Sequence, residues 1–589
     1  MKSVTLVAVF LPFSAFAQGP LPPPVGPPVA SMKTLDQVEA RIPITAATAA
    51  GNANGVHVIT TSGSYYLTAD VQGVAGKDGI VIEANNVTLD LNGYSLKGIA
   101  GSLNGIGISR TGTSYTGLTV RNGFITGFGQ RGIHTVSTGA MHGFTAEDLT
   151  ISCTGAGLRA DVAGSTVVRR VIVRGGAGGI LCAGNSDVDQ IEDCVVTGTT
   201  GEAILGDVIE RCQVSHVNFS GLVVIGGSRI SHCRVANISC GVGVVGIYGD
   251  EVDHCVVSGL ICTGAGPIDG VQGDLVTATR VLDLTSAGGN VRGIGQRNSA
   301  TNGSVTHCAI SGLKTTSTGT VIGAEADSVS DCQLSRIGFE SSTGAVTGIL
   351  FGSRVDDCTL RGVGHAGVTG NVRGISLSDF ATGGAVSRVV LQDFKGAGPV
   401  SGIRAGLVEH ATITKFVQNG GGFTGNQAIA ADNVAHCLVS DLVANTSVSL
   451  YAVIAEFVTD TRVETVSNGG GTANGISGEH IVDCTVFNLD GIGINGSSSA
   501  SRISGCSVRS AALIGIEYNG QGGAVENNAV RGCATGIQTT SFSTRAVVRG
   551  NQVTTCPVRY DMNANSVVGP IATATGTIAS TSPFVNFSD

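Results

Sequence analysis

The sequence predicts an all-β chain wound as a single parallel β-helix, a solenoid of about twenty coils with a cap at each end. Three observations predict it. A segment of the form apolar-x-x-Cys-x-apolar recurs along the chain, a Gly-Ile-like segment recurs between its copies, and the composition is that of many short strands joined by tight turns. The chain has 589 residues with 89 Gly, 13 Pro, no Trp and 13% charged residues. Such a balance, with abundant Val, Ile, Ser and Thr, suits half-buried strands and is poor in helix formers.

The first repeat appears as IEDCVV around Cys194, IERCQV around Cys212, ISHCRV around Cys233 and VDHCVV around Cys255. It returns around Cys308, Cys332, Cys358, Cys437, Cys484 and Cys506, and the same frame holds without Cys at Val171, Thr279, Val389, Ala411, Thr461, Asn528 and Asn551. Counted back, the frame extends through Leu149 and Leu118 to Val87. These positions fall about 24 residues apart on average, a period of solenoid coils. The second repeat includes RGIHT at 131–135, SGLVV at 220–224, DGVQGD at 269–274, RGISL at 373–377 and TGIQT at 535–539. Two or three short strands per coil follow. Helical repeats of this length would need heptad-like apolar spacing, which is absent. Coils stacked at the strand spacing of about 4.8 Å make a rod on the order of 100 Å long.

An open solenoid end exposes core and strand edges, so caps are expected. Residues 31–75 are read as the N-terminal cap, with a capping-box spacing from Thr34 to Gln37 that starts a short helical pattern through Arg41. The β-helix proper is read over 76–556 and the C-terminal cap over 557–589. Residues 1–17 carry Lys2, an apolar run from Val4 to Phe13 and Ala15, Phe16 and Ala17 ahead of Gln18, the pattern of a secretory signal peptide. A Pro-rich leader spans 18–30. The apolar run is half the length of a membrane span, and no later segment reads as transmembrane. The chain is therefore expected to be secreted, periplasmic or at the cell surface. A net charge of −9 without a basic stripe argues against nucleic acid as a partner.

Sixteen Cys in an exported chain would suggest a disulfide framework. Their spacing points instead to an inward-facing cysteine ladder, in which ten of them stand at one repeat position as compact buried residues and stay free thiols. Cys240 and Cys262 each lie seven residues after a ladder Cys on adjacent coils and are the best candidates for one bridge. No CxxC pair occurs, so no structural zinc site is read.

The segments Gly63–Thr68 (GSYYLT), Val87–Gly93 (VTLDLNG) and Val525–Val530 (VENNAV) followed by Gly536 and Ile537 resemble the bacterial right-handed parallel β-helix proteins of the pectin-lyase-like superfamily. The resemblance covers roughly residues 55–556 and speaks for fold more than for activity. It implies that a polysaccharide enzyme of this kind would work in a groove on the outside of the helix, with carboxylates that bind Ca2+ or act as acid and base and a basic residue beside the substrate. It also implies that the ladder Cys stand where a stacked Asn often occupies a turn, as Asn528 and Asn551 do here.

Two patterned columns are candidates for chemistry. The residue before each ladder position reads Asp148, Asp193, His232, His254, His307, Asp331, Asp357, His410, His436, Asp460 and Asp483. Alternation with a buried position would turn it outward, as a divalent-metal column or, with greater weight, as a solvated polar face. No metal ligand is assigned, and no cofactor is required beyond the Ca2+ the resemblance allows. The second column follows the Gly-Ile strand, where the residue three places after the apolar anchor reads Asp250, Asp274, Arg297 and Glu325 on four successive coils. If activity follows fold, Asp250, Asp274 and Glu325 are the catalytic carboxylates and Arg297 the cation beside a uronate, with Tyr248, Gln272 and Gln296 lining the cleft. Carboxylates one or two coils apart, roughly 5 to 10 Å, match the separations of glycoside hydrolysis. Coil length also grows here, to 29 residues between Thr279 and Cys308, 26 between Cys332 and Cys358, and 31 between Cys358 and Val389. Extra length loops outward.

Three functions follow from these readings. The first is a secreted or surface-exposed β-helix that engages extracellular polysaccharide through its middle coils, as a polysaccharide lyase or glycoside hydrolase if it is an enzyme. The second is a non-catalytic structural or adhesive solenoid associated with the cell surface, favoured by the low aromatic content. The third, with least weight, is metal handling by the His and Asp column.

Overall fold

In a computed structural model, residues 40–588 are described apart from 111–114, 138–140, 161–163, 183–187, 298–301, 340–343, 378–382, 421–425 and 574–580. The signal peptide, the leader, the Thr34–Gln37 capping box and the parts of the three long coils at 298–301, 340–343 and 378–382 lie outside the described residues. The described chain is all β, and every strand pairing is parallel. None of its elements is a helix, so no helix is long and apolar enough to cross a membrane among the described residues.

One coil shows how the winding arises. Arg229–Ser231, Arg234–Cys240 and Val244–Asp253 follow one another, the last running on into the next coil, and each pairs only with its counterparts one coil before and after. Repeating this about twenty times builds three parallel sheets around one core. In the first sheet, Ile209, Ile230, Val252, Val276, Val305 and Val329 stack in register, each buried to within 1%. A buried Val or Ile of this kind stabilises by about 1.5 to 3 kcal/mol. No coil can bury such a column alone, which is why the repeat must be long.

The corner between the first and second sheets explains the recurring segment. The residue before each ladder position adopts a left-handed backbone, with φ of 52° at Asp193, 55° at His232, 53° at Asp331 and 54° at His436. Asp, Asn and His tolerate that region better than other side chains. They are exposed because the chain turns there, and strand alternation, the expected cause, plays no part. A second left-handed column stands four residues past the ladder, at His216, Asn237, Gly259, Asp283 and Gly312, and bends the second sheet.

The corner also corrects the frame near the N-terminus. Leu149 pairs with Gly123, whereas Leu118 pairs with Phe144, so Leu118 and Val87 stand in the strand ahead of the corner. There the turn is made by Asn122 and Asn92, with φ of 59° and 51°. In the segment read as N-terminal cap, Ile42–Pro43 already pairs with Gly63–Tyr66, and that strand with the next coil. In the segment read as C-terminal cap, Val558–Asp561 and Val567–Val568 continue the sheets, and Asn586 takes the ladder position below Asn551.

All sixteen Cys are buried free thiols. Those at the corner do more than fill space. The Sγ of Cys233 accepts the N–H of Cys212 at 3.4 Å, Cys255 accepts from Cys233 at 3.4 Å, and Cys332 from Cys308 at 3.4 Å. Each thiol in turn donates to the carbonyl two residues before it, as Cys233 does to Ser231 at 3.2 Å. Thr279 and Asn528 make the same contact with oxygen, accepting from Cys255 at 3.3 Å and Cys506 at 2.9 Å. Cys, Thr and Asn are interchangeable here because each offers a short acceptor to a buried N–H at the turn. Cys240 and Cys262 face each other in register on neighbouring strands, and both remain thiols rather than the expected bridge.

Burial pushes the Cys153 and Cys437 thiols up to about 11. Because all sixteen Cys are buried, iodoacetamide at pH 8 is expected to leave the folded chain unlabelled for hours and to label all sixteen in denaturant, read by intact mass. Rapid labelling of folded protein would contradict it.

Candidate functional site

The outward side chains of the third sheet are set by its glycines. Along Ile268–Thr277 the order is Ile268 buried, Asp269 out, Gly270 and Val271 buried, Gln272 out. A Cβ on Gly270 would stand 2.6 Å from the carbonyl oxygen of Gly293 and 2.6 Å from Val281. Glycine thus lets the strand bend and turns out residues i and i+3 instead of i and i+2. Two outward columns result. One contains Val245, Asp269, Arg292, Ile322, Thr347 and Arg373; the other contains Tyr248, Gln272, Gly295, Glu325, Leu350 and Ser376.

On the middle coils these columns hold two connected polar groups. The guanidinium of Arg297 donates through Nε to the Tyr248 hydroxyl at 2.8 Å, lies over the Tyr248 ring at 4.6 Å from its centroid, and pairs through Nη1 with Asp250. Arg292 bridges three coils, with Nε donating to Asp269 at 2.8 Å and Nη1 to Glu325 at 2.6 Å. Gln272 completes this group by donating to Asp269 at 2.6 Å. Burial works against the Arg292 charge, and Asp269 and Glu325 outweigh it, holding the guanidinium above its usual value.

The structure therefore brings together Tyr248, Asp250 and Arg297, and separately Gln272 and Glu325 through Asp269 and Arg292. Asp274, half-buried, stands on the coil between Asp250 and Arg297. Two expected members are out of register. Glu325 aligns with Gly295 and so with Tyr248 and Gln272, and the residue level with Arg297 is Asp327. The frame slips because Ile322, taken as the apolar anchor, faces out opposite Arg292, while the buried anchor is Ala324 opposite Ile294. Gln296 stands one place past the column, and its N–H donates to the Glu325 carbonyl at 2.9 Å.

Asp269 and Arg292 escaped the sequence reading. The signal that finds them is the residue just before the Gly of each Gly-Ile segment, which faces out as surely as the residue after the Ile.

The turn column, read as a metal column or a polar face, pairs opposite charges one coil apart. Arg170 holds Asp148 at 2.6 Å, Arg211 holds Asp193 at 2.8 Å and Arg388 holds Asp357 at 2.8 Å. His232 and His254 stack with ring centroids 5.0 Å apart, His410 and His436 at 4.9 Å, and His436 meets Asp460 at 2.8 Å. Among the described residues no three His, Cys, Asp or Glu converge on a point that would hold a metal ion.

Parallel register, stacked corners and a single core define this chain as a parallel β-helix protein. Among solved structures it is similar to the A-module of the Azotobacter vinelandii mannuronan C-5 epimerase AlgE6, at 13% identity and a TM-score of 0.27 over 60% of this chain and 91% of that one. It is also similar to the A-module of the AlgE4 mannuronan C-5 epimerase of the same organism, at 11% identity and a TM-score of 0.18 over 86% of this chain and 91% of that one. No protein-family model matches the sequence, and no curated protein matches it.

Proposed function

We propose that this chain is exported and binds an acidic extracellular polysaccharide along the outward face of its third sheet, with the middle coils as the contact. The observation that carries the reading is the grouping of Tyr248, Asp250, Arg297 and Gln272, Asp269, Arg292, Glu325 on one face of four neighbouring coils. Arg297 stacked on the Tyr248 ring offers a guanidinium plane backed by an aromatic ring, which suits a sugar carrying a carboxylate. Amide and carboxylate groups alongside suit sugar hydroxyls.

Binding is favoured over hydrolysis by the same geometry. A hydrolase needs one of two carboxyl groups protonated at work. Here Asp269 and Glu325 both pair with Arg292, and Asp250 pairs with Arg297, so these carboxylates serve as partners to guanidiniums rather than standing as an opposed pair across a gap.

The test is a panel of acidic and neutral polysaccharides offered to the full chain with and without calcium, following binding, new unsaturated uronate absorbance and new reducing ends. Binding to an acidic glycan that weakens at least tenfold in Arg297→Ala, with no product, is the expected result. Product lost in Asp274→Ala would make the chain a lyase or hydrolase. Absence of binding and product on every glycan would move the reading to a structural or adhesive solenoid, which the charge-paired turn column favours.

A further inference from the structure

Two coils beyond the middle group, the same face opens into a cleft of about 460 Å³ walled by Asn371, Arg373, Pro399, Ser401, Arg404 and Gln427. We propose that this cleft is a separate binding site for a short saccharide bearing carboxylate or sulfate groups. It goes beyond the middle-coil contact, since none of its walls belongs to that group.

The register shows why these residues converge. Arg373, Ser401, Gln427 and Tyr451 stand in one outward column on four successive coils. Arg404 stands in the companion column, level with Ser376 and Ala430. The two guanidiniums thus flank the cleft diagonally, one coil and three strand positions apart. The column from Arg373 to Tyr451 runs about 14 Å at the strand spacing.

Charge sets the ligand class. Arg292, Arg297 and Arg388 are each engaged by a carboxylate. Among the described residues, the guanidiniums of Arg373 and Arg404 have no hydrogen-bond or ion-pair partner, and no carboxylate walls the cleft. Two guanidinium forks without counter-ions, placed on either side of an opening, present donors in the geometry that planar carboxylates and sulfates accept. The rest of the wall indicates a saccharide rather than a small inorganic anion. The lining comes from three successive coils, Asn371, Ser401 and Gln427 supply amide and hydroxyl groups for sugar hydroxyls, and the half-buried Tyr451 stands next in the column past Gln427.

Glycine positions the cleft as it does the middle group. Gly374 and Gly402 back Arg373 and Arg404, and a Cβ on Gly374 would lie 2.5 Å from the carbonyl oxygen of Gly402. The strands therefore bend together, and the two outward columns stay parallel.

The test is calorimetric titration of the full chain with four probes: an oligouronate, a sulfated oligosaccharide, an uncharged oligosaccharide of the same length, and inorganic sulfate. The expected result is binding of at least one anionic oligosaccharide with two components, of which one weakens about 100-fold in Arg373→Gln/Arg404→Gln and the other, from the middle coils, is the one that Arg297→Ala removes. Whichever anionic oligosaccharide binds better names the acidic group. The Arg373→Lys/Arg404→Lys variant, which keeps the charge and loses the forks, should fall between. Unchanged thermal unfolding of each variant shows that the fold is intact. No binding of either anionic probe, equal affinity for the uncharged oligosaccharide or for inorganic sulfate, or a binding isotherm that the double substitution leaves unchanged would overturn the proposal. Loss of binding only in Arg297→Ala would overturn it while leaving the middle-coil reading standing.

Discussion

Asn551→Ala is expected to lower the stability of the C-terminal coils by about 3 kcal/mol, the sum of two or three buried polar groups left without partners. Asn551 is fully buried. Its Oδ1 accepts both the N–H and the side-chain amide of Asn528 at 3.0 Å, and its own amide reaches the carbonyls of Val525 at 2.9 Å and Arg549 at 3.1 Å. Alanine removes all of these and leaves the Asn528 N–H and the Val525 carbonyl with no water to replace them. Contacts in a solenoid reach only the neighbouring coils, so the loss should be local. Amide exchange around 503–560 should quicken by about two powers of ten while coils near residue 200 keep their protection. Asn551→Cys is the discriminating control, because Cys serves the same turn at Cys233 and Cys332; it should recover part of the loss. An Asn551→Ala change below about 0.5 kcal/mol would show that the corner N–H does not need its acceptor.

That column also shows how far the fold was legible in the sequence. The winding, the number of coils and the inward Cys followed from periodicity, because a buried position repeated coil after coil leaves an unmistakable apolar frame. The reason for the residue before it did not follow. Asp193 and His232 look like outward members of an alternating strand, and only the backbone shows a left-handed turn that favours Asp, Asn and His. Counting back to Leu118 failed for a related reason. Asn122 makes the turn there, and Leu118, the apolar residue four places earlier, mimics the frame.

The candidate site was legible in part. Asp250 and Arg297 were placed on one face by spacing and Tyr248 beside them through the family resemblance, and the three side chains stand in one group. Glu325 was mis-set because an apolar side chain at Ile322 faces solvent while the small Ala324 fills the core. Pattern reading takes the larger apolar residue as the buried one. Where a glycine bends the strand, outward positions come three apart and that assumption gives way. Arg373 and Arg404 were passed over on the same ground, since each is separated from its neighbour in the cleft by a whole coil of sequence.

Phe394→Ala is expected to cost about 4 kcal/mol, in the range for removing a buried ring from a packed core. Phe394 is fully buried on the second sheet between Val363 and Phe416, which align with it one coil away on either side. Its ring also reaches across the core to the third sheet, where Cε1 lies 2.8 Å from the place a Cβ on Gly374 would take. The ring therefore occupies the space that the absent side chain of Gly374 leaves, and it supports the strand that carries Arg373. Alanine would open a cavity beneath that strand with no side chain able to fill it from Gly374. Two readouts should move together: amide protection of Val372–Leu377 and Val400–Arg404 should fall, and anionic saccharide binding at the cleft should weaken with it. Phe394→Leu, which keeps most of the volume, should cost about 1 kcal/mol or a little more and leave binding nearly intact. Loss of stability in Phe394→Ala with full retention of saccharide affinity would separate the two, and would mean that Arg373 is held by its own coil rather than by the core behind it.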